Sequence, residues 1–151
     1  MAAGRERLIK PVPRRMVMMF ADLTPEDLEL VEMAEDLIRK RESRLSSVAA
    51  VLRTRNGRVF SGVNIDIDCS APCSICAEYA AIGTMVTEGE TEIDTIVAVN
   101  LHDGGCSVLP PCGKCRQFIS EFGNPYVIVE VESKLKKVRL SELYPLPVVS
   151  E

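Results

Sequence analysis

The spacing of apolar and polar positions sorts the chain into a short series of elements. In "TPEDLELVEMAEDLIRKRES" (24–43) the apolar Leu28, Val31, Ala34 and Ile38 recur at helical spacing. Thr24 suits the N-cap, Pro25 the first helical position, and Asp27 stands where a capping box needs an acid. Lys40 and Arg41 sit near the negative end of the helix dipole. "SSVAAVLRT" (46–54) and "RVFSGVN" (58–64) are rich in β-formers and flank Asn56-Gly57, a strong hairpin turn, so an antiparallel pair is predicted. The nearly continuous apolar runs "DTIVAVN" (94–100) and "YVIVEV" (126–131) predict buried strands, and "KKVRL" (136–140) a further one. Helices are predicted from about Ile75 to Glu88, closed by Gly89, and from Gly113 to about Phe122, stopped by Gly123-Asn124-Pro125. "SELYP" (141–145) reads as a last helical turn, while "IDIDCSAP" (65–72) and "LHDGGCSVLPP" (101–111) read as loops.

A hairpin followed by alternating helix and strand predicts an α/β fold, a mixed sheet of about five strands covered by helices. In such βα units the helix N-termini gather at one edge of the sheet. Two cysteine-bearing segments, "CAE" (76–78) and "PCGKC" (111–115), would thus meet, although 35 residues (77–111) separate Cys76 from Cys112. Residues 1–22 have two prolines, many charges and no period, and are expected to be a flexible basic extension to a single domain, 23–151.

Composition narrows the function. With 151 residues, 46% hydrophobic and 26% charged, the chain can bury one core, and at 5% aromatic that core must be mostly aliphatic. Residues 1–20 carry five basic side chains (Arg5, Arg7, Lys10, Arg14, Arg15) against Glu6, yet the whole chain has a net charge of −4. The acidic balance argues against a protein that binds nucleic acid by neutralising phosphates. No stretch approaches membrane-spanning length, and "MVMMF" (16–20) is too short for a signal-peptide core, so a cytoplasmic protein is expected. In a reducing compartment six cysteines are ligands, catalytic groups or buried thiols rather than disulfides.

Cys73, Cys76, Cys112 and Cys115 form a CxxC…CxxC set. Four sulfurs at that spacing suit a closed structural zinc site, a non-catalytic module. An open site would use three of them and leave the fourth position to water. Three features favour the open site. Glu78 lies two residues after Cys76, where a carboxylate can reach a metal-bound water without binding the metal. Pro111 precedes Cys112, and "PCxxC" with a ligand-x-Glu element is a zinc-deaminase signature. Cys73 sits in a Pro-containing loop before the helix, whereas Cys76 sits at its start. Three thiolates and Zn²⁺ sum to one negative charge, which two helix N-termini would face. Lys114 and Arg116 flank Cys115 and are candidates for tempering the thiolates.

At these residues the chain resembles the cytidine deaminase superfamily. "CAE" (76–78) and "PCGKCRQ" (111–117) look like its two signature motifs, "VAAVLRTRNGRVFSGVN" (48–64) like the hairpin before the first, and "SELYP" (141–145) like the "ELLP" near its end. The resemblance implies a three-layer α/β/α sandwich, usually a homotetramer. It implies zinc on Cys76, Cys112 and Cys115, and Glu78 as the proton shuttle. The implied reaction replaces the C4 amine of a cytosine ring by oxygen and releases ammonia. The implied substrate is a free nucleoside such as cytidine or deoxycytidine, as in pyrimidine salvage. Asn64 and Asp66 resemble the Asn-x-Glu pair that holds the ribose hydroxyls, and Ala77 joins them as a candidate substrate contact. A second branch, blasticidin S deaminase, carries a basic residue between the two later cysteines, as Lys114 does here. Cytidine deaminases commonly carry Arg after "CAE", where this chain has Tyr79. The family's aromatic residue after "ELLP" is replaced by Leu146-Pro147-Val148-Val149.

Overall fold

Helix α1 (Pro25–Arg41) opens with the expected capping box. Thr24 Oγ1 accepts from the Asp27 N–H at 3.3 Å, and Asp27 Oδ2 accepts from the Thr24 N–H at 3.0 Å. The computed structural model describes residues 18–149, so most of the expected 1–22 extension lies outside the described residues. Near the end of that stretch, Ala21 forms a β-bridge with Lys137. The buried stripe of α1 runs through Asp27, Leu30, Val31, Ala34 and Ile38. Leu28, expected on that stripe, is 45% exposed. Its place facing the sheet is taken by an acid, Asp27, fully buried and reached by Arg53 Nη2 at 3.0 Å and Lys137 Nζ at 2.6 Å. Burial alone would raise the Asp27 carboxyl; hydrogen bonds from Lys137, the Thr24 N–H and Arg53 outweigh it and hold it below the usual range.

Strands β1 (Val48–Thr54) and β2 (Val59–Val63) form the predicted hairpin, with Gly57 at φ 82° in the turn. Helix α2 (Ala77–Thr87) then crosses to β3 (Ile93–His102), which pairs antiparallel with β1. The segment expected as a loop after β3 holds a sixth strand, β4 (Gly105–Leu109), returning antiparallel along β3. Its two-residue turn, Asp103-Gly104, has positive φ at both positions (50° and 78°), as a type I′ hairpin requires. Helix α3 (Gly113–Ser120) leads to β5 (Tyr126–Val131), parallel to β3, and a second two-residue turn leads to β6 (Lys134–Arg139) and α4 (Leu140–Leu143). The sheet therefore has six strands rather than about five, in the order β2-β1-β3-β5-β6, with β4 on β3 beyond β5.

Alternation along the strands builds a core on each face. Ala49, Val51, Val97, Val99 and Ile128 pack under α1. Ala50, Leu52, Ile96, Val127 and Val129 pack against Ile82 and Met85 of α2 and Ile119 of α3. The result is helix, sheet, helix. Residues 64–76 connect β2 to the start of α2, and residues 110–112 connect β4, whose last residue Leu109 pairs with Ala98, to the start of α3; the two starts come together at one edge of the sheet. Among the described residues no helix is long and apolar enough to cross a membrane.

Candidate active site

Two helix starts meet at this edge. Cys76 is the N-cap of α2 and Cys112 the N-cap of α3, both in extended backbone. Cys115 lies one turn into α3 and is fully buried. The sulfurs of Cys76, Cys112 and Cys115 all lie within 4.8 Å of one another. Tetrahedral zinc with bonds of about 2.3 Å would hold sulfurs about 3.8 Å apart, so small side-chain adjustments let the three close on one ion. Cys73 stands outside this cluster; it is exposed, in a single 3-10 turn (Ala71–Cys73), with its sulfur 3.2 Å from Ser70 Oγ.

The thiols are not equivalent. Burial pushes Cys115 well up, reinforced by the carboxylate of Glu78. Burial also raises Cys76. Cys112 moves the other way: burial would raise it, but the N–H groups of Cys115 and Lys114 at the open start of α3 face its sulfur and lower it. A three-thiol set with one member at a helix start favouring thiolate suits a divalent cation that takes sulfur.

Glu78 projects from the first turn of α2 and is 7% exposed. Burial raises its carboxyl above the usual carboxylate range, partly offset by its own backbone N–H and by the Cys115 thiol. It lines a cavity of about 310 Å³ together with Cys76, Cys112, Asn64 and Asp66. That volume suits a small molecule of nucleoside size. Ala77, also on the wall, is 1% exposed, so it presents backbone rather than side chain.

Asn64 is held rigidly. Its Oδ1 accepts from the N–H groups of Ser47 at 2.9 Å and Val48 at 2.8 Å, and its Nδ2 donates to Asp66 Oδ2 at 3.0 Å. The amide oxygen is thus occupied by β1, which leaves Asp66 the more available polar group of the pair. The loop between β2 and α2 is stitched by the Ile65–Ile75 bridge and by Ser74 Oγ accepting from the Ile67 N–H at 2.9 Å. Ser47, Ser74, Leu109 and Pro110 also line the wall without having stood out in the sequence. For Leu109 and Pro110 the usable signal was the Asp103-Gly104 turn, which makes β4 a strand and carries them over Ala98.

The two flanking cations, Lys114 and Arg116, each have defined partners. Lys114 Nζ lies 4.7 Å from the centre of the Tyr79 ring. Tyr79 itself stacks on Phe118 of α3, with centroids 4.0 Å apart and planes 4° from parallel, bracing α2 against α3. Arg116 donates from Nε to the Pro111 carbonyl at 2.8 Å and from Nη1 to the Leu143 carbonyl at 2.9 Å.

Comparison with known proteins bears on the same residues. The family described as "Cytidine and deoxycytidylate deaminase zinc-binding region" matches residues 24–131. Blasticidin-S deaminase of Bacillus cereus is 37% identical over 132 residues, covering 83% of this chain and 94% of that protein. Cytidine deaminase of Mycoplasma genitalium is 30% identical over 119 residues, covering 76% and 88%. The crystal structure of cytidine deaminase from Burkholderia pseudomallei superposes with a TM-score of 0.66 at 25% identity, covering 83% of this chain and all of that one.

Proposed function

Because the chain belongs to the cytidine and deoxycytidylate deaminase zinc-binding family, we propose that it hydrolyses the C4 amine of a cytosine nucleoside, with Cys76, Cys112 and Cys115 holding zinc and Glu78 moving the protons. Zinc, when bound, supplies a Lewis acid that makes water acidic near neutral pH. The chain's residues do the rest. The reaction forms a C4–O bond from water and breaks the C4–N bond. Glu78 takes a proton from the water, delivers it to the ring nitrogen, and then carries one to the departing amine, which leaves as ammonia. Burial favours the protonated carboxyl that the delivery steps need. Asn64 orients Asp66 toward the sugar hydroxyls, and the Ala77 backbone borders the base.

One observation carries the reading: the buried Glu78 carboxylate lines one cavity with Cys76 and Cys112, and Cys115 is buried within 4.8 Å of both sulfurs. Glu78→Gln tests it. The variant is expected to bind zinc like the wild type and to lose about 10²–10⁴-fold in ammonia release from cytidine, the usual size of general acid–base catalysis. Wild-type turnover would remove Glu78 from the mechanism.

Blasticidin S is the second substrate reading, favoured by the 37% identical relative and by Lys114 between the two later cysteines. Ammonia release from cytidine, deoxycytidine and blasticidin S, side by side, decides between them. The reading extends to a homotetramer, supported by the exposed apolar Leu146, Val148 and Val149, and to a cytoplasmic place in pyrimidine salvage. Light scattering tests the tetramer.

A further inference from the structure

The two residues after Cys115 both turn to the C-terminal segment. Gln117 reads the backbone of one residue in both directions: Oε1 accepts from the Val148 N–H at 2.8 Å and Nε2 donates to the Val148 carbonyl at 2.8 Å. Tyr144 adds its hydroxyl to the same Oε1 at 3.1 Å. Arg116 forks between two carbonyls, Pro111 at 2.8 Å and Leu143 at 2.9 Å. The Pro111 carbonyl belongs to the peptide unit that ends on the Cα of Cys112. That unit is planar, so holding its oxygen holds the axis about which Cys112 turns.

We propose that Arg116 is a positioning residue for the metal loop, and that through it the ordering of residues 143–148 is coupled to zinc binding. The proposal rests on Cys112 being a zinc ligand, as proposed above. It differs from a charge effect on the thiolates, because the placed donors of Arg116 are spent on carbonyls of two separate segments. The coupling is reciprocal: if a docked segment favours the loop geometry that zinc needs, zinc must in turn hold the segment down.

The test uses the full wild-type chain, zinc-loaded and after chelation. Hydrogen exchange is followed by mass spectrometry in peptides covering residues 143–149, where the Tyr144 and Val148 amides donate to Leu140 and Gln117. Removing zinc is expected to speed their exchange roughly 10-fold, within the range of ordinary couplings. Arg116→Lys keeps the charge but replaces the planar fork with a point donor. It is expected to abolish that response and to release zinc to a chromophoric chelator roughly 10-fold faster. Zinc release from Arg116→Lys at the wild-type rate would overturn the positioning role. So would wild-type protein that binds zinc yet exchanges at 143–149 identically with and without it, and the ligand assignment would then stand. A wild-type chain that binds no zinc would overturn the ligand assignment and this proposal with it.

Discussion

Gly62 of β2 packs directly against the backbone of α2, and adding one methyl group there tests whether the helix start sets the chemistry. A Cβ at position 62 would lie 2.6 Å from the carbonyl carbon and from the Cβ of Ala80, and closer still to the Ala81 nitrogen. Ordinary contact begins at 3.4 Å, so the nearest of these atoms, the Ala81 nitrogen, requires α2 to retreat by about 1 Å. Two of the three atoms met are backbone, so no rotamer change relieves the clash. The retreat lifts Ile82 and Met85, both fully buried, off the sheet. Overpacking of this kind costs about 2 kcal/mol, which for a chain of this length lowers Tm by about 4–8 °C. The functional cost is larger than the stability cost. Cys76 and Glu78 stand on the first turn of the displaced helix, and a misplacement near 1 Å can cost about 10²-fold in rate. Gly62→Ala is therefore expected to lose about 10²-fold in kcat/KM for cytidine, measured by ammonia release at a temperature where circular dichroism shows it folded. A variant with wild-type Tm and wild-type kcat/KM would refute the claim that the β2–α2 approach positions the site.

Asp27→Asn should be the more damaging change to stability, since it leaves the guanidinium of Arg53 (21% exposed) and the ammonium of Lys137 (12% exposed) facing a neutral amide. Removing one partner of a buried pair costs roughly 3–5 kcal/mol, and because Arg53 keeps Asp94 at 2.8 Å the expected loss is about 3 kcal/mol, read by urea denaturation at neutral pH. The folded-state carboxyl of Asp27 titrates below the ordinary aspartate value of 3.8, so its contribution is present above that pH and fades as pH falls through the folded value. The wild type should thus lose stability more steeply below about pH 4 than Asp27→Asn does, and parallel acid limbs would refute the assignment. The β5–β6 turn offers the opposite sign: Glu132 and Ser133 hold φ of 50° and 61°. Replacing them together, Glu132→Asn with Ser133→Gly, suits that backbone and should raise stability by about 1 kcal/mol, or Tm by about 2–4 °C in a thermal melt.

Local patterning revealed the pieces of the site, and non-local pairing set their geometry. Thr24, Pro25 and Asp27 announce a helix start within four residues, and "CAE" and "PCGKC" announce ligand and carboxylate within eight. The second role of Asp27, as partner to Arg53 and Lys137, spans 26 and 110 residues and leaves no local trace. Strand β4 escaped for a related reason. Its inward face is only Cys106 and Val108, too short a period-2 run to stand out beside a flanking glycine and an outward-facing Leu109, and Asp103-Gly104 was the clearest mark it left. Yet β4 decides where the second motif goes. Its register sets Leu109 opposite Ala98, and Pro110-Pro111 then bring Cys112 to the start of α3. Arg116 closes the same loop from the other side, through Pro111 and Leu143. The spacing within each motif names the candidate zinc ligands, and the β3–β4 hairpin and the Arg116 fork hold the loop that carries Cys112; if these residues bind the metal, changes at either should alter metal binding without touching a ligand.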